Sequence, residues 1–151
     1  MEQLNLPIYE ANIKKIDGMV KIFDTQRRKF VALTPEEWVR QNFVHYLLEH
    51  KHYSPAYLAN EVAITLNGMS RRCDGVLYDK DMKPKMILEF KAPSVTISQK
   101  VFDQICRYNM VLQVEYLIIS NGLTHFCLRL NDEKNGYISL EDIPEYSTLN
   151  R

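Results

Sequence analysis

Charge of one sign is the first thing this sequence lacks. Nineteen lysines and arginines balance 19 aspartates and glutamates over 151 residues, for a formal net charge of zero. A protein that grips nucleic acid strongly and indiscriminately carries a basic excess, so neutrality argues against that class while leaving room for a local basic surface. Cysteine is scarce and odd in number: Cys73, Cys106 and Cys127 have neither the spacing of a zinc site nor the pairing of a disulfide framework, and read as buried thiols in a reducing cytosol. No apolar run approaches membrane-spanning length, and the N-terminus has no apolar signal core. The expectation is a cytoplasmic protein with no membrane partner. Internal repeats and low-complexity segments are absent. So is Gly-x-x-x-x-Gly-Lys-Ser/Thr, which excludes a P-loop and with it an ATP-driven motor in this chain.

What is present fits one ordinary globular domain, with 46% hydrophobic and 25% charged residues. Residues 1–33 read as an N-terminal arm and hairpin, 34–130 as the core and 131–151 as a C-terminal tail with a short strand. The arm contains strands over 19–23 and 29–33. Thr34-Pro35-Glu36-Glu37 starts a helix to residue 50: threonine caps, proline suits the first helical position and Glu37 completes a capping box. Its apolar stripe is Val39, Phe43, Tyr46, Leu47 and His50, with Trp38 packed beside it. A strand over 61–66 turns at Asn67-Gly68, the strongest short hairpin signal in the chain, into a strand over 72–78. Ser98 caps a helix over 99–112 whose apolar face is Val101, Ile105, Tyr108 and Leu112. The apolar strand 114–120 follows, parallel to strand 85–91 if the intervening helix is a crossover. In the last strand, 123–130, Thr124, Phe126, Leu128 and Leu130 face inward. Leu123, His125, Cys127 and Arg129 face outward, so His125 reads as an exposed strand residue.

The chemistry concentrates between Arg72 and Lys91. Strands 72–78 and 85–91 flank a turn rich in Asp, Lys and Pro. Alternation puts Glu89 and Lys91 on one face with Ile87, and Met86, Leu88 and Phe90 on the other. If Tyr78 lies near Lys85, Asp74 stands opposite Glu89. Two close carboxylates repel unless a cation shares the site. A divalent ion supplies one, and oxygen ligands suit magnesium. The plain alternative is a surface strand pair with an ordinary ion pair.

Asp74, the hairpin, and then Glu89-Phe90-Lys91 resemble the PD-(D/E)xK nuclease signature. Gln104-Ile105-Cys106-Arg107-Tyr108 resembles the Gln-x-x-x-Tyr helix that accompanies it in the nuclease domain of type I restriction enzyme R subunits. Residues 33–41 and Ile118-Ile119-Ser120-Asn121-Gly122 are similar to the same domain. One departure is Cys73, which stands where the signature has proline.

The resemblance implies an α/β fold, a mixed central β-sheet flanked by helices with a restriction-endonuclease-like core. It implies an endonuclease that hydrolyses DNA phosphodiesters with Mg2+, or Mn2+ in its place, held by Asp74 and Glu89. Lys91 would position the nucleophile or stabilise the transition state. Gln104 would contact the DNA backbone or Lys91, and Tyr108 would do the same or lie in the core. Arg72, Lys100 and Arg107 would line the phosphate path. Glu37, or Glu36, would approach the metal from the first helix, although the capping box is the favoured role of Glu37. Motor or specificity subunits of a restriction system would be partners, and a homodimer would let two sites cut two strands. The initial methionine and polar end mildly favour a free-standing relative over a fragment. The rival class is a non-cleaving nucleic-acid-binding or scaffold module that keeps the fold. An unrelated enzyme using Cys73 or Cys106 lacks a histidine partner.

Overall fold

The computed structural model describes residues 1–149. Its smaller sheet is an antiparallel meander of β1 (Ile13–Ile16), β2 (Met19–Asp24) and β3 (Lys29–Ala32). Asp17 and Gly18 both take positive φ, 51° and 80°, which gives the β1–β2 turn the twist a two-residue hairpin needs. At the β2–β3 turn, Asp24 Oδ1 accepts the backbone N–H groups of Gln26 and Arg27 at 3.0 and 3.2 Å.

Helix α1 (Pro35–His50) begins at Thr34, whose Oγ1 accepts the Glu37 backbone N–H at 3.0 Å. Its buried residues are Val39, Arg40, Gln41, Asn42, Phe43, Val44 and Leu47, too broad a set for one stripe. Val39, Phe43 and Leu47 pack on the large sheet, while Arg40 bonds Asp24 of the small one. A helix held from two sides buries polar positions that a one-sided stripe would expose. Tyr46 is half-buried and His50 exposed, so the expected stripe is truncated at its C-terminal end.

The large sheet runs in chain order: β4 (Leu58–Leu66), β5 (Met69–Tyr78), β6 (Pro84–Phe90), β7 (Tyr116–Ser120), β8 (His125–Leu130) and β9 (Tyr137–Leu140). All neighbours are antiparallel except β6 and β7, which helix α2 (Gln99–Met110) joins by a crossover, as expected. Ser98 Oγ caps α2 by accepting the Val101 N–H at 3.3 Å. Asn67 and Gly68 have φ of 52° and 76°, and Asn67 Nδ2 donates to the carbonyls of Val111 and Leu112, so the β4–β5 turn also ties down the end of α2.

Two cores result, one on each face. Leu77, Met86, Leu88, Phe90 and Ile118 meet α1. Val76, Ile87, Leu117, Ile119 and Leu128 meet Ile105 of α2. The architecture is therefore α/β, a mixed sheet with a helix on each side.

Alternation fails in one place. Leu77 packs toward α1 and Val76 toward α2, yet Cys73 joins Val76 rather than Leu77. On β4, Leu58 packs toward α1 and Ile64 toward α2, although both are even-numbered. Both strands switch face between Asn60↔Gly75 and Val62↔Cys73, where Glu61 and Asp74 would pair. Glu61 takes φ 48°, a strained backbone for a residue with a Cβ.

Two expectations need correction at the C-terminal end. Cys127 does not face outward as alternation assigns it but lies in the α1-side core, as its reading as a buried thiol requires, because β8 is covered on both faces; Cys106 is only half-buried. The final segment is docked: Ile143 and Leu149 are buried, the latter in the short helix α3 (Tyr146–Leu149), and the Tyr53 hydroxyl donates to the Pro144 carbonyl at 3.0 Å.

Candidate active site

The β5–β6 register is Gly75↔Leu88, Val76↔Ile87 and Leu77↔Met86, which extrapolates to Asp74 opposite Glu89. A bulge after Leu77 pairs Tyr78 with Pro84, so the turn is one residue out of the expected step while the site end keeps it. Ladder pairing stops at Gly75. A Cβ there would come within 2.9 Å of Leu88 Cδ1, so glycine permits the close approach of the two strands next to the site. Beyond that point Asp74 turns its side chain to the neighbouring backbone, Oδ2 accepting the Phe90 N–H at 2.7 Å. The Lys91 N–H continues toward β7 and donates to the Ser120 carbonyl at 2.9 Å.

Glu89 is nearly buried and lies on the α2 side with Ile87. Its Oε1 accepts a hydrogen bond from Arg71 Nη2 at 2.7 Å. Burial pushes its carboxyl up to about 7; Arg71 and Lys91 pull it down and the Asp74 charge pushes it further up. The charges of Arg71, Asp74 and Lys91 thus all bear on the Glu89 carboxyl. The Arg71 guanidinium also lies over the Tyr108 ring, 5.4 Å from its centroid. Tyr108 is accordingly half in solvent, holding Arg71 rather than filling the core.

Asp74 opens on the other side. With Phe90, Thr34, Glu36, Glu37, Arg40 and Glu61 it lines a cleft of about 210 Å3 at the start of α1. The first helix therefore does bring Glu36 and Glu37 alongside Asp74. Glu37 does not close the expected capping box: only the Thr34 half forms. Its carboxylate instead accepts from Arg40, from Arg27 Nη2 at 3.1 Å and from Gln41 Nε2 at 2.9 Å. Burial alone would raise its carboxyl; Arg40, Gln41 and Arg27 hold it below the usual range. Asp24 behaves alike, raised by burial but held low by Arg40, at 2.7 Å, and Arg27. Arg40 also donates to Asn60 Oδ1 at 2.8 Å, which ties this network to β4 beside the site.

The remaining candidates are less engaged. Arg72 is exposed and pairs loosely with Glu61 at 3.7 Å. Gln104, Lys100 and Arg107 are exposed on α2. His125 is not an exposed strand residue: it is half-buried, with Nε2 2.8 Å from the Asn5 carbonyl and Nδ1 2.7 Å from Ser120 Oγ. Only an Nε2–H tautomer satisfies both, with the serine hydroxyl donating to Nδ1, and burial holds the ring below its usual pKa. Asn121 braces the segment after Lys91, Nδ2 donating to the Val95 carbonyl at 2.8 Å while Oδ1 accepts the N–H groups of Leu123 and Thr124.

The residues to which the sequence assigned no site role are Arg71, Arg40, Arg27 and Asp24. Plain alternation puts Arg72, not Arg71, on the face of Val76 and Glu89; the switch of face at Asp74 brings Arg71 there instead. Asp24 and Arg27 stand three residues apart across a turn, but no spacing links them to Arg40, which joins them only where α1 meets the small sheet.

Among the described residues, no three or more His, Cys, Asp and Glu side chains converge as a metal cage. The site supplies two carboxylates, one of them disfavoured as a buried anion. That donor set fits magnesium, which retains several waters and takes one or two carboxylates. It does not fit a structural zinc site, which is a closed set of four cysteine and histidine ligands.

No curated protein sequence matches the chain. Among solved structures, one described as a cryoEM structure of a DrdV-DNA complex aligns with 77% of this chain at 18% identity and a TM-score of 0.45. The aligned part is 11% of that chain, so this protein spans a small portion of its length. The family described as Type I restriction enzyme R protein N terminus (HSDR_N) matches residues 35–144, from the first turn of α1 to beyond β9. The chain belongs to that family, and its α/β fold is a restriction-endonuclease-like core.

Proposed function

We propose that this domain is a magnesium-dependent DNA endonuclease of the PD-(D/E)xK type, with Asp74 and Glu89 as metal ligands. The observation that carries the reading is Glu89. It is a buried carboxyl at the end of the β5–β6 ladder, in register with a second carboxylate, Asp74, and two residues before a lysine, and burial raises its pKa, so a cation is favoured there. Family membership supports a nuclease role, and DNA is the corresponding substrate.

A bound divalent ion would supply charge neutralisation at the phosphate and a more acidic water. The chain's own residues do the rest. Asp74 is fixed by the Phe90 N–H, which leaves Oδ1 for a ligand. Glu89 is oriented by Arg71. Lys91 extends from a backbone pinned to Ser120, where its ammonium can hold a nucleophile or the charge that develops on phosphate. Gln104, Lys100 and Arg107 form the exposed polar side of α2 and are assigned to the DNA backbone, with Arg72 at the opposite strand edge. Glu37 is assigned an accessory role through the cleft it shares with Asp74. With no P-loop among these residues, translocation on DNA falls outside this domain, and paired-strand cleavage to a second copy.

The test is Mg2+- and Mn2+-dependent cleavage of linear, circular and single-stranded DNA. Asp74→Ala and Lys91→Ala should each abolish cleavage while leaving the circular dichroism spectrum unchanged. Undiminished cleavage by either folded variant would overturn the assignment. One observation favours a second reading, a nucleic-acid-binding module that does not cut: Arg71 already neutralises Glu89 without a metal ion. Failure to cleave, together with failure to bind either metal in calorimetry, would select it.

A further inference from the structure

Arg71 has a geometry that simple charge neutralisation does not account for. An arginine built only to pair with a carboxylate uses its fork, two parallel N–H bonds to the two oxygens. Arg71 instead touches Glu89 through one nitrogen, Nη2 to Oε1 at 2.7 Å, and its buried Nε has no hydrogen-bond partner. An orphaned buried donor is destabilising. The guanidinium is seated on the Tyr108 ring, which is itself 56% exposed and has room to follow it. Arg71 is 22% and Glu89 10% exposed at the side chain, so their charges depend on each other for lack of water. A divalent cation on Glu89 would find the Arg71 charge already there, and two cations on one carboxylate repel.

Resting on the metal-binding reading above, we propose that Arg71 is a built-in counter-ion: it holds Glu89 until a divalent cation arrives, competes with that cation for Oε1, and is kept in place by Tyr108. The pair sets a threshold. A metal ion must bind against the Arg71 charge already on the same carboxylate, so the site stays charge-balanced and weakly loaded when the cation is scarce. This also gives Tyr108 a physical task, positioning Arg71, that an exposed tyrosine on a helix face otherwise lacks.

The test is calorimetric titration of Mn2+ alone, without DNA, into the full chain. Arg71→Met keeps the stem and removes the charge, and should bind Mn2+ about tenfold more tightly than the parent, the scale on which outer-shell partners change metal affinity. Tyr108→Leu, a change at an exposed position that spares the fold, should shift affinity the same way by a smaller factor. Asp74→Ala should bind far more weakly than the parent. If the parent binds through Asp74 but Arg71→Met and Tyr108→Leu bind no more tightly, the counter-ion role is wrong and the metal site stands. Should Arg71→Met fail to fold, unchanged affinity in Tyr108→Leu equally overturns the counter-ion role. If neither the parent nor any folded variant binds Mn2+, the metal reading falls and the counter-ion role with it.

Discussion

Single residues carry much of what makes this site possible. Gly75 lets β5 approach Leu88 next to Asp74, with no space for a methyl group. Gly75→Ala should therefore cost about 1–3 kcal/mol from overpacking, read as a lower denaturation midpoint in urea. Metal affinity should fall with it, because the Asp74–Phe90 contact lies one residue on. Arg40 matters differently. Its side chain is 4% exposed, as is that of Asp24, so removing it strands buried carboxylates. Arg40→Met should destabilise by about 3–5 kcal/mol. Asp24→Asn with Arg40→Met should recover part of that loss, since the double variant leaves fewer unpaired charges, and a double-mutant cycle in urea checks it.

At the scale of elements, the legible features were those with local causes. The caps Thr34 and Ser98, the Asn67-Gly68 turn and the crossover helix depend on neighbours in sequence, and each forms as read. The Asp74–Glu89 register was legible because a bulge near Tyr78 absorbs the misjudged turn. The face switch at Glu61 and Asp74 was not, because alternation has no term for a strand pair that must serve two cores. Nor was the network around Glu37, whose cations come from separate segments. That network gives the small sheet and α1 an acid sensitivity. Asp24 and Glu37 are held below the usual carboxyl range, so as pH falls the unfolded chain takes up protons before the folded one does. The stabilisation is complete above the ordinary carboxyl pKa of about 4 and is lost as pH drops through the lower native values. Thermal unfolding followed from pH 6 to pH 2.5 should show this loss, and Asp24→Asn should flatten it.

The whole molecule combines zero net charge with a few exposed cations on one helix, Lys100 and Arg107 of α2. That combination predicts how it meets DNA. Counterion release scales with the number of phosphates neutralised, so a chain using only these cations with Arg72 and Lys91 should show a shallow salt dependence, with a log–log slope of about −3 to −4. The rest of its surface contributes little attraction at long range, since positive and negative charges are interspersed and screened within about 10 Å at 0.1 M salt. Lys100→Ala with Arg107→Ala should then reduce the slope by nearly two units and weaken binding alike on every sequence, while leaving Mn2+ affinity untouched. Fluorescence anisotropy on a labelled duplex over a salt series measures both quantities. A slope much steeper than about −4 in the parent would mean that cations elsewhere, such as Lys14, Lys15 or Lys21 of the small sheet, also reach the phosphates, and would place the DNA path across both sheets. A shallow slope instead confines the path to α2 and the β5–β6 end, and makes firm attachment to DNA the task of whatever partners this domain assembles with.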